Sequence, residues 1–300
     1  MEIDNTSKKT NSGWINGFIG VVLFSGSLPA TRVAVLDLNP VFLTVARASI
    51  AGFLALVVLM VSKEERPSRK QLFPLIIVAI GAVVGFPLLS ALALRYVTSA
   101  HSIVFLGLLP LVTAVFGVVR GGERPHIIFW LFAVLGSLLV IGYAIWQGIT
   151  ASPVGDLLML GAIVLCGLGY AEGATLSRKL GGWQVISWAL VIALPIMLPL
   201  AIAYFPSSVE AVRGRAWLGL AYVSLFSMFI GFIFWYRGLA QGGIASVGQV
   251  QLLQPFFGLA LASTLLHEKV SAGMLLVTIG VILCVAGSRK YARKSPPILS

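Results

Sequence analysis

The stretch LRYVTSAHSIVFLGLLPLVTAVFGVVRGGERP, residues 94–125, is matched without a gap by LAQGGIASVGQVQLLQPFFGLALASTLLHEKV, residues 239–270. At an offset of 145 positions Pro110 meets Pro255, Glu123 meets Glu268 and Arg124 meets Lys269. Leu94 and Ala100 likewise meet Leu239 and Ala245. Both copies lie in strongly apolar surroundings and carry a proline near the middle of the apolar run. A duplicated membrane segment with a mid-helix break is a common plan of secondary transporters.

Composition points the same way. Only 10% of the 300 residues are charged, against about 25% in a soluble domain. At roughly 20 residues per span, about ten spans fit, with short loops and no separate soluble domain. The apolar runs are 14–36, 41–62, 72–94, 98–119, 126–147, 155–177, 184–205, 216–237, 243–266 and 271–288. Turn or charge signals separate them, such as Asp37–Pro40, Ser62–Lys70 and Gly148–Pro153. The first run is too long for a signal-peptide core and lacks a small-residue cleavage site, so it is expected to remain as the first span. The many glycines suit close helix approach in a membrane, and Gly169-x-x-x-Gly173 is one such pair.

The net charge of +11 does not call for nucleic acid, because the basic residues fall mostly between spans. With the N-terminus inside and ten spans, 15 Lys and Arg lie on the inner side and 5 on the outer, leaving Arg47 within a span. This bias sets both termini in the cytoplasm. Five spans per repeat is odd, so the second repeat is inverted, and a binding site is expected between the repeats near the bilayer midplane. The fold class is therefore an all-α membrane protein of about ten transmembrane helices in two inverted five-helix repeats.

The pattern resembles the drug/metabolite transporter superfamily, in particular its EamA-type ten-helix exporters, over residues 14–290. ALALRYVTSAHSIVFLGLLPLVTAVFGVVRGGERP and WYRGLAQGGIASVGQVQLLQPFFGLALASTLLHEKVS are similar to the family's fourth-helix pattern. LFSGSLPATRVAV resembles its first helix and TVARASIAGFLAL its second, with Arg47 at the usual basic position. Phe24-Ser25-Gly26 stands where many members carry Trp-Gly. The resemblance implies a cytoplasmic tail at 1–13, one five-helix repeat at 14–150, a second at 151–290 and a basic tail at 291–300. It also implies export of amino acids, their analogues or other small metabolites across the inner membrane.

Several residues are candidates for the site. Pro110 and Pro255 each remove one N–H and displace the carbonyl four residues back, those of Leu106 and Gln251. Freed carbonyls at the bilayer centre need a partner, a water or a ligand. The prolines are therefore either the breaks of half-helices that meet substrate or two packed kinks. Gln251 and Gln254 are three apart and share a helix face, while Gln249 points away. Their amides either bind a polar substrate or bridge helices. Their counterparts are Leu106 and Leu109, so the cavity is expected to be polar on the second-repeat side.

Glu172 lies about 8 Å from the middle of its span, toward the cytoplasm. An intramembrane carboxylate is a functional candidate by default, here for proton coupling. The alternative is a structural partner for Arg178 or a hydroxyl. Arg47, about 7 Å to the outer side of its span's middle, either snorkels toward Asp37 or holds a substrate carboxylate. Tyr170 and Trp235 are candidate stacking residues, although Trp235 and Tyr236 also suit an aromatic belt. Glu123 and Glu268 each precede the next span and are expected to complement its dipole. Cys166 and Cys284 read as packing thiols. His101 stands without a ligand set, so neither a metal nor a cofactor is expected.

The leading function is a secondary transporter that works by alternating access. Its partners are a small-molecule substrate such as an amino acid, a proton or other coupling ion, and membrane lipids. No GxxxxGK[ST] loop is present for ATP. A membrane-embedded enzyme would need an interfacial catalytic cluster, yet HExxH and GxSxG are absent. A passive channel would need a ring of like polar groups.

Overall fold

Among the described residues, helices occupy the apolar runs. The computed structural model of the chain describes residues 2–97, 102, 105–146, 152–254, 256–258, 260 and 272–292, and no strand occurs among them. In order the helices are α1 (Thr10–Val35), α2 (Pro40–Val61), α3 (Arg69–Ala93), α4 (Leu109–Gly121), α5 (Ile127–Trp146), α6 (Pro153–Leu180), α7 (Gly182–Ala203), α8 (Gly214–Gly242), α9 (Ile244–Gly248, continued by a 3-10 turn Gln249–Leu253) and α10 (Ala272–Tyr291). Among the described residues six, α1 to α3 and α6 to α8, are each long and apolar enough to cross a membrane. Helix continues upstream of α1 to Glu2, so most of the expected 1–13 tail is helical. No glycine or proline stands before Gly13 to stop it.

The helix ends follow the local signals. Asn39 accepts from the Val41 N–H at 2.8 Å, with Pro40 in the first turn. Gly181 and Gly243, at φ +100° and +95°, reverse the chain after α6 and α8, which a side chain would resist. Between α1 and α2, Asp37 takes a bidentate pair from Arg213, with Arg213 Nε at 2.8 Å from Oδ2. This guanidinium holds the Asp37 carboxyl below its usual range, and the carboxylate raises Arg213 in turn.

Two helices carry a widened, π-helical stretch, Ala79–Gly85 in α3 and Val223–Ile230 in α8. The second starts 144 positions after the first and ends 145 after it. The motif offset thus extends to a backbone irregularity that composition does not reveal. Such insertions often mark functional sites.

Four of the main pairings are α1 with α8, α3 with α6, α2 with α7, and α5 with α10; α4 also packs on α6. Exchanging every helix for the one five places along the chain swaps the first two pairs and leaves the other two unchanged. Small residues permit the tightest contacts. A Cβ on Gly238 would lie 2.5 Å from the Gly17 nitrogen, and one on Gly13 would lie 2.5 Å from that of Gly242. On α6, Gly169 meets Gly81 of α3, while Gly173 sits beneath the ring of Tyr236. Large apolar side chains such as Phe53, Phe73, Leu131, Leu157, Ile202 and Leu276 remain exposed, the outer surface a bilayer requires.

Candidate functional site

The chain's irregular backbone gathers around one cavity. It leaves about 20 Å³ of space that water could occupy between α1, α2, α3, α6, α8 and the segments at Leu106 and Gln254. Both π-helical stretches contribute, through Ala82 and Ser227. Its polar side is Ser27, Arg47, Ser227 and Gln254, and its ring-bearing side is Phe24, Tyr170 and Phe232. Leu28, Phe86, Pro87, Leu106 and Leu109 complete an apolar wall.

The polar side forms a short chain of contacts. Ser27 Oγ donates to Ser227 Oγ at 2.8 Å, and Arg47 Nη2 donates to the same oxygen at 3.2 Å. Arg47 is only 5% exposed and its buried Nε has no partner. The Gln254 amide donates to the Phe24 carbonyl at 3.4 Å. The rings pack edge to face and stacked, with Phe24 5.1 Å from Phe232 and Tyr170 5.8 Å from Phe232 between centroids. Such pairs form a stiff wall.

Arg47, Leu106, Tyr170 and Gln254 of the expected site residues come together here, while Pro110, Gln251, Trp235 and Glu172 stand outside the wall. Pro255, His101 and Glu268 lie outside the described residues. Pro110 is not a mid-helix kink. The chain turns at residues 107–108 and α4 begins at Leu109, so the proline occupies the first helical turn, where its missing N–H costs little. In the second copy the 3-10 turn Gln249–Leu253 occupies the positions just before Pro255. Gln251 donates to the Gly248 carbonyl at 3.3 Å within its own turn. Gln249 faces α4, its amide 3.5 Å from the Pro110 carbonyl.

Four expectations change. Arg47 does not snorkel to Asp37, which is held by Arg213; Arg47 turns into the cavity because Ser227 of α8 faces it. Trp235 and Tyr236 are not belt residues. Both are fully buried, Trp235 behind Phe24 and Tyr170, and Tyr236 donating to the Gly169 carbonyl at 3.2 Å. The structural partner of Glu172 is Arg120, at 2.7 Å, rather than Arg178. Glu123 does not serve the helix that follows it. Its carboxylate accepts from the Ile244 and Ala245 N–H groups at 2.6 and 2.7 Å, capping α9, and pairs with Arg178 at 3.0 Å. It is only 2% exposed. Opposite charges on α4 and α6, together with this cap, therefore close the end of the bundle where Gly13 meets Gly242. Arg289 lies at the same end, over Trp14 and bonded to Asn11.

Sequence reasoning missed Ser27, Ser227, Phe24 and Phe232. The two serines were visible as hydroxyls within apolar runs, but only the folded chain brings them within 2.8 Å. Phe24 was visible as the residue standing where many relatives carry Trp-Gly, whereas Phe232 carried no signal that separates it from other packing rings.

Known proteins bear on this arrangement. The model of the EamA-like transporter family matches residues 11–144 and again residues 153–289. The chain is 65% identical over 285 residues to YdeK of Bacillus subtilis (strain 168), an uncharacterized transporter, covering 95% of this chain and 99% of that one. It is 23% identical to the uncharacterized transporter YvbV of the same organism, over 97% and 96% of the two chains. A solved crystal structure superposes with a TM-score of 0.76 at 18% identity, over 92% of this chain and 98% of the other, a likeness of fold. The chain belongs to the EamA-like transporter family and is a multi-pass integral membrane transporter.

Proposed function

We propose that the protein is a secondary transporter of the cytoplasmic membrane that exports small metabolites, amino acids among them, by alternating access. Ten spans in two inverted repeats, 14–150 and 151–290, with both termini cytoplasmic, rock about the central cavity. The observation that carries this reading is the make-up of the cavity wall, in which Phe24 and Arg47 of one half meet Tyr170, Ser227 and Gln254 of the other. Relative motion of the halves would open and close such a site. The equivalent π-helical stretches and the exchange symmetry of the helix pairs support two related halves.

In this reading the Glu123 cap and the Arg120–Glu172 pair close the cytoplasmic end, and the α4–α9 seam is the route that opens. Gln249 and Thr113 line that seam, each with a buried oxygen that has no partner. Such oxygens are costly in a permanently dry contact. Efflux from proteoliposomes loaded with a metabolite panel tests the reading. Gln251→Leu combined with Gln254→Leu is expected to cut flux about tenfold or more, the equivalent of about 1.4 kcal/mol, while thermal unfolding stays near wild type. Unchanged flux would assign both amides to helix packing.

Energy comes from an ion gradient, with Glu172 as the coupling carboxylate. It would exchange Arg120 for a proton as the closed end opens. Glu172→Gln is expected to flatten the pH–rate profile, whereas Arg120→Gln should alter rate but keep pH dependence. Equal profiles in wild type and Glu172→Gln would leave Glu172 only its structural pairing.

A further inference from the structure

The cavity contains a cation that no described carboxylate balances. Among the described residues no ion pair reaches Arg47, whose partners are Ser227 and no carboxylate. Among the described residues Asp37 pairs with Arg213, Glu123 with Arg178 and Glu172 with Arg120, Glu65 and Glu210 are exposed, and no acid lines the cavity. A buried guanidinium without a counter-charge is strongly unfavourable. The Arg47 Nε is buried without a partner, in a residue that lines the cavity. Its planar fork matches a carboxylate in bidentate geometry. The Ser27 and Ser227 hydroxyls stand beside it, and the opposite wall is apolar and ring-bearing.

From this juxtaposition we infer that the transported species is an amphipathic organic monoanion, a carboxylate with an aromatic or branched apolar body and no ammonium group. One guanidinium balances one negative charge. A phosphate monoester, nearly a dianion at neutral pH, would leave surplus charge among Phe24, Phe232 and Leu106. A zwitterionic amino acid would bring an ammonium that no acid of this wall receives. The inference rests on the cavity being the transport site, and it narrows the metabolites of that reading to net-negative ones, which sets its zwitterionic amino acids aside.

The test uses the full-length protein, purified for thermal shift and reconstituted for flux, with phenylacetate, phenylacetamide and phenylalanine, and with isovalerate, isovaleramide and leucine. The carboxylate of at least one set is expected to stabilise the protein, half-maximally at a concentration about tenfold or more below its amide and its amino acid. Arg47→Gln should erase that preference, and Arg47→Lys should restore part of it. Without ligand, Arg47→Gln should unfold at or above the wild-type temperature, because it removes an unbalanced buried charge. Amino acids or amides that match the carboxylates, a preference that survives Arg47→Gln, or a large drop in its unfolding temperature would each overturn the inference. Ser227→Ala separates this failure from failure of the site itself. If the cavity carries substrate of another charge, that substrate's flux falls in Ser227→Ala. If the cavity is not the site, no flux responds to it.

Discussion

Glu123→Ala is expected to destabilise the protein by about 3–5 kcal/mol, the cost of breaking a buried ion pair by removing one side, and to abolish gradient-driven flux. The residue is 2% exposed, and its donors include the Ile244 and Ala245 N–H groups and the Arg178 guanidinium. Removing it strips α9 of its cap and takes the ion pair from a guanidinium of which 15% of the side-chain surface is exposed. Glu123→Gln keeps an acceptor for one N–H and should fall between the two. Thermal unfolding of the purified variants measures the effect. Adding Arg178→Ala to Glu123→Ala should cost little more, because the two act as one unit. A Glu123→Ala protein within about 0.5 kcal/mol of wild type, the range of an ordinary surface substitution, would remove the cap from the account.

The second large effect is steric. Gly238→Ala adds one methyl carbon, which would lie 2.5 Å from the Gly17 nitrogen, 2.8 Å from the Gly17 Cα and 2.9 Å from the Gly13 carbonyl oxygen. All three are backbone atoms, so no rotamer change relieves the contact and α1 must separate from α8. Overpacking usually costs about 1–3 kcal/mol; with backbone on both sides the loss belongs at or above the top of that range. Purified yield and unfolding temperature should both fall sharply. Gly214→Ala, where an added Cβ meets nothing within 4 Å, is the control. Parity between the two variants would show that α1 and α8 can separate at little cost.

Much of the architecture was legible because a membrane imposes simple rules. Runs of apolar residues separated by Asn39-Pro40 or Ser152-Pro153 gave the helices, and the Pro110/Pro255 register gave the duplication. The site was legible only in part. Arg47, Tyr170 and Gln254 stood out as polar or amphipathic residues within spans, and they do line the cavity. Gln251 stood out equally, yet the 3-10 turn sets it outside the wall, bonded to its own backbone. Trp235 sits close to where an aromatic belt would lie, but α1 offers glycines against it and buries it completely. Glu123 was read by its nearest helix in sequence, α5, whereas its ligands are 121 and 122 positions away.

By itself the sequence determined the solvent, the helical segments and the repeat, since hydropathy, helix breakers and register are all local properties of the chain. Only the tertiary structure decided the partners: Arg47 with Ser227, Glu172 with Arg120, and Glu123 with the start of α9. The physical reason lies in how membrane helices associate. Periodicity shows which residues share a face, but the neighbour each face meets is chosen by close packing of small residues and by interhelical hydrogen bonds. Contacts such as Gly17 on Gly238 and Gly81 on Gly169 make that choice. They leave a basic cavity whose charge no single helix reveals.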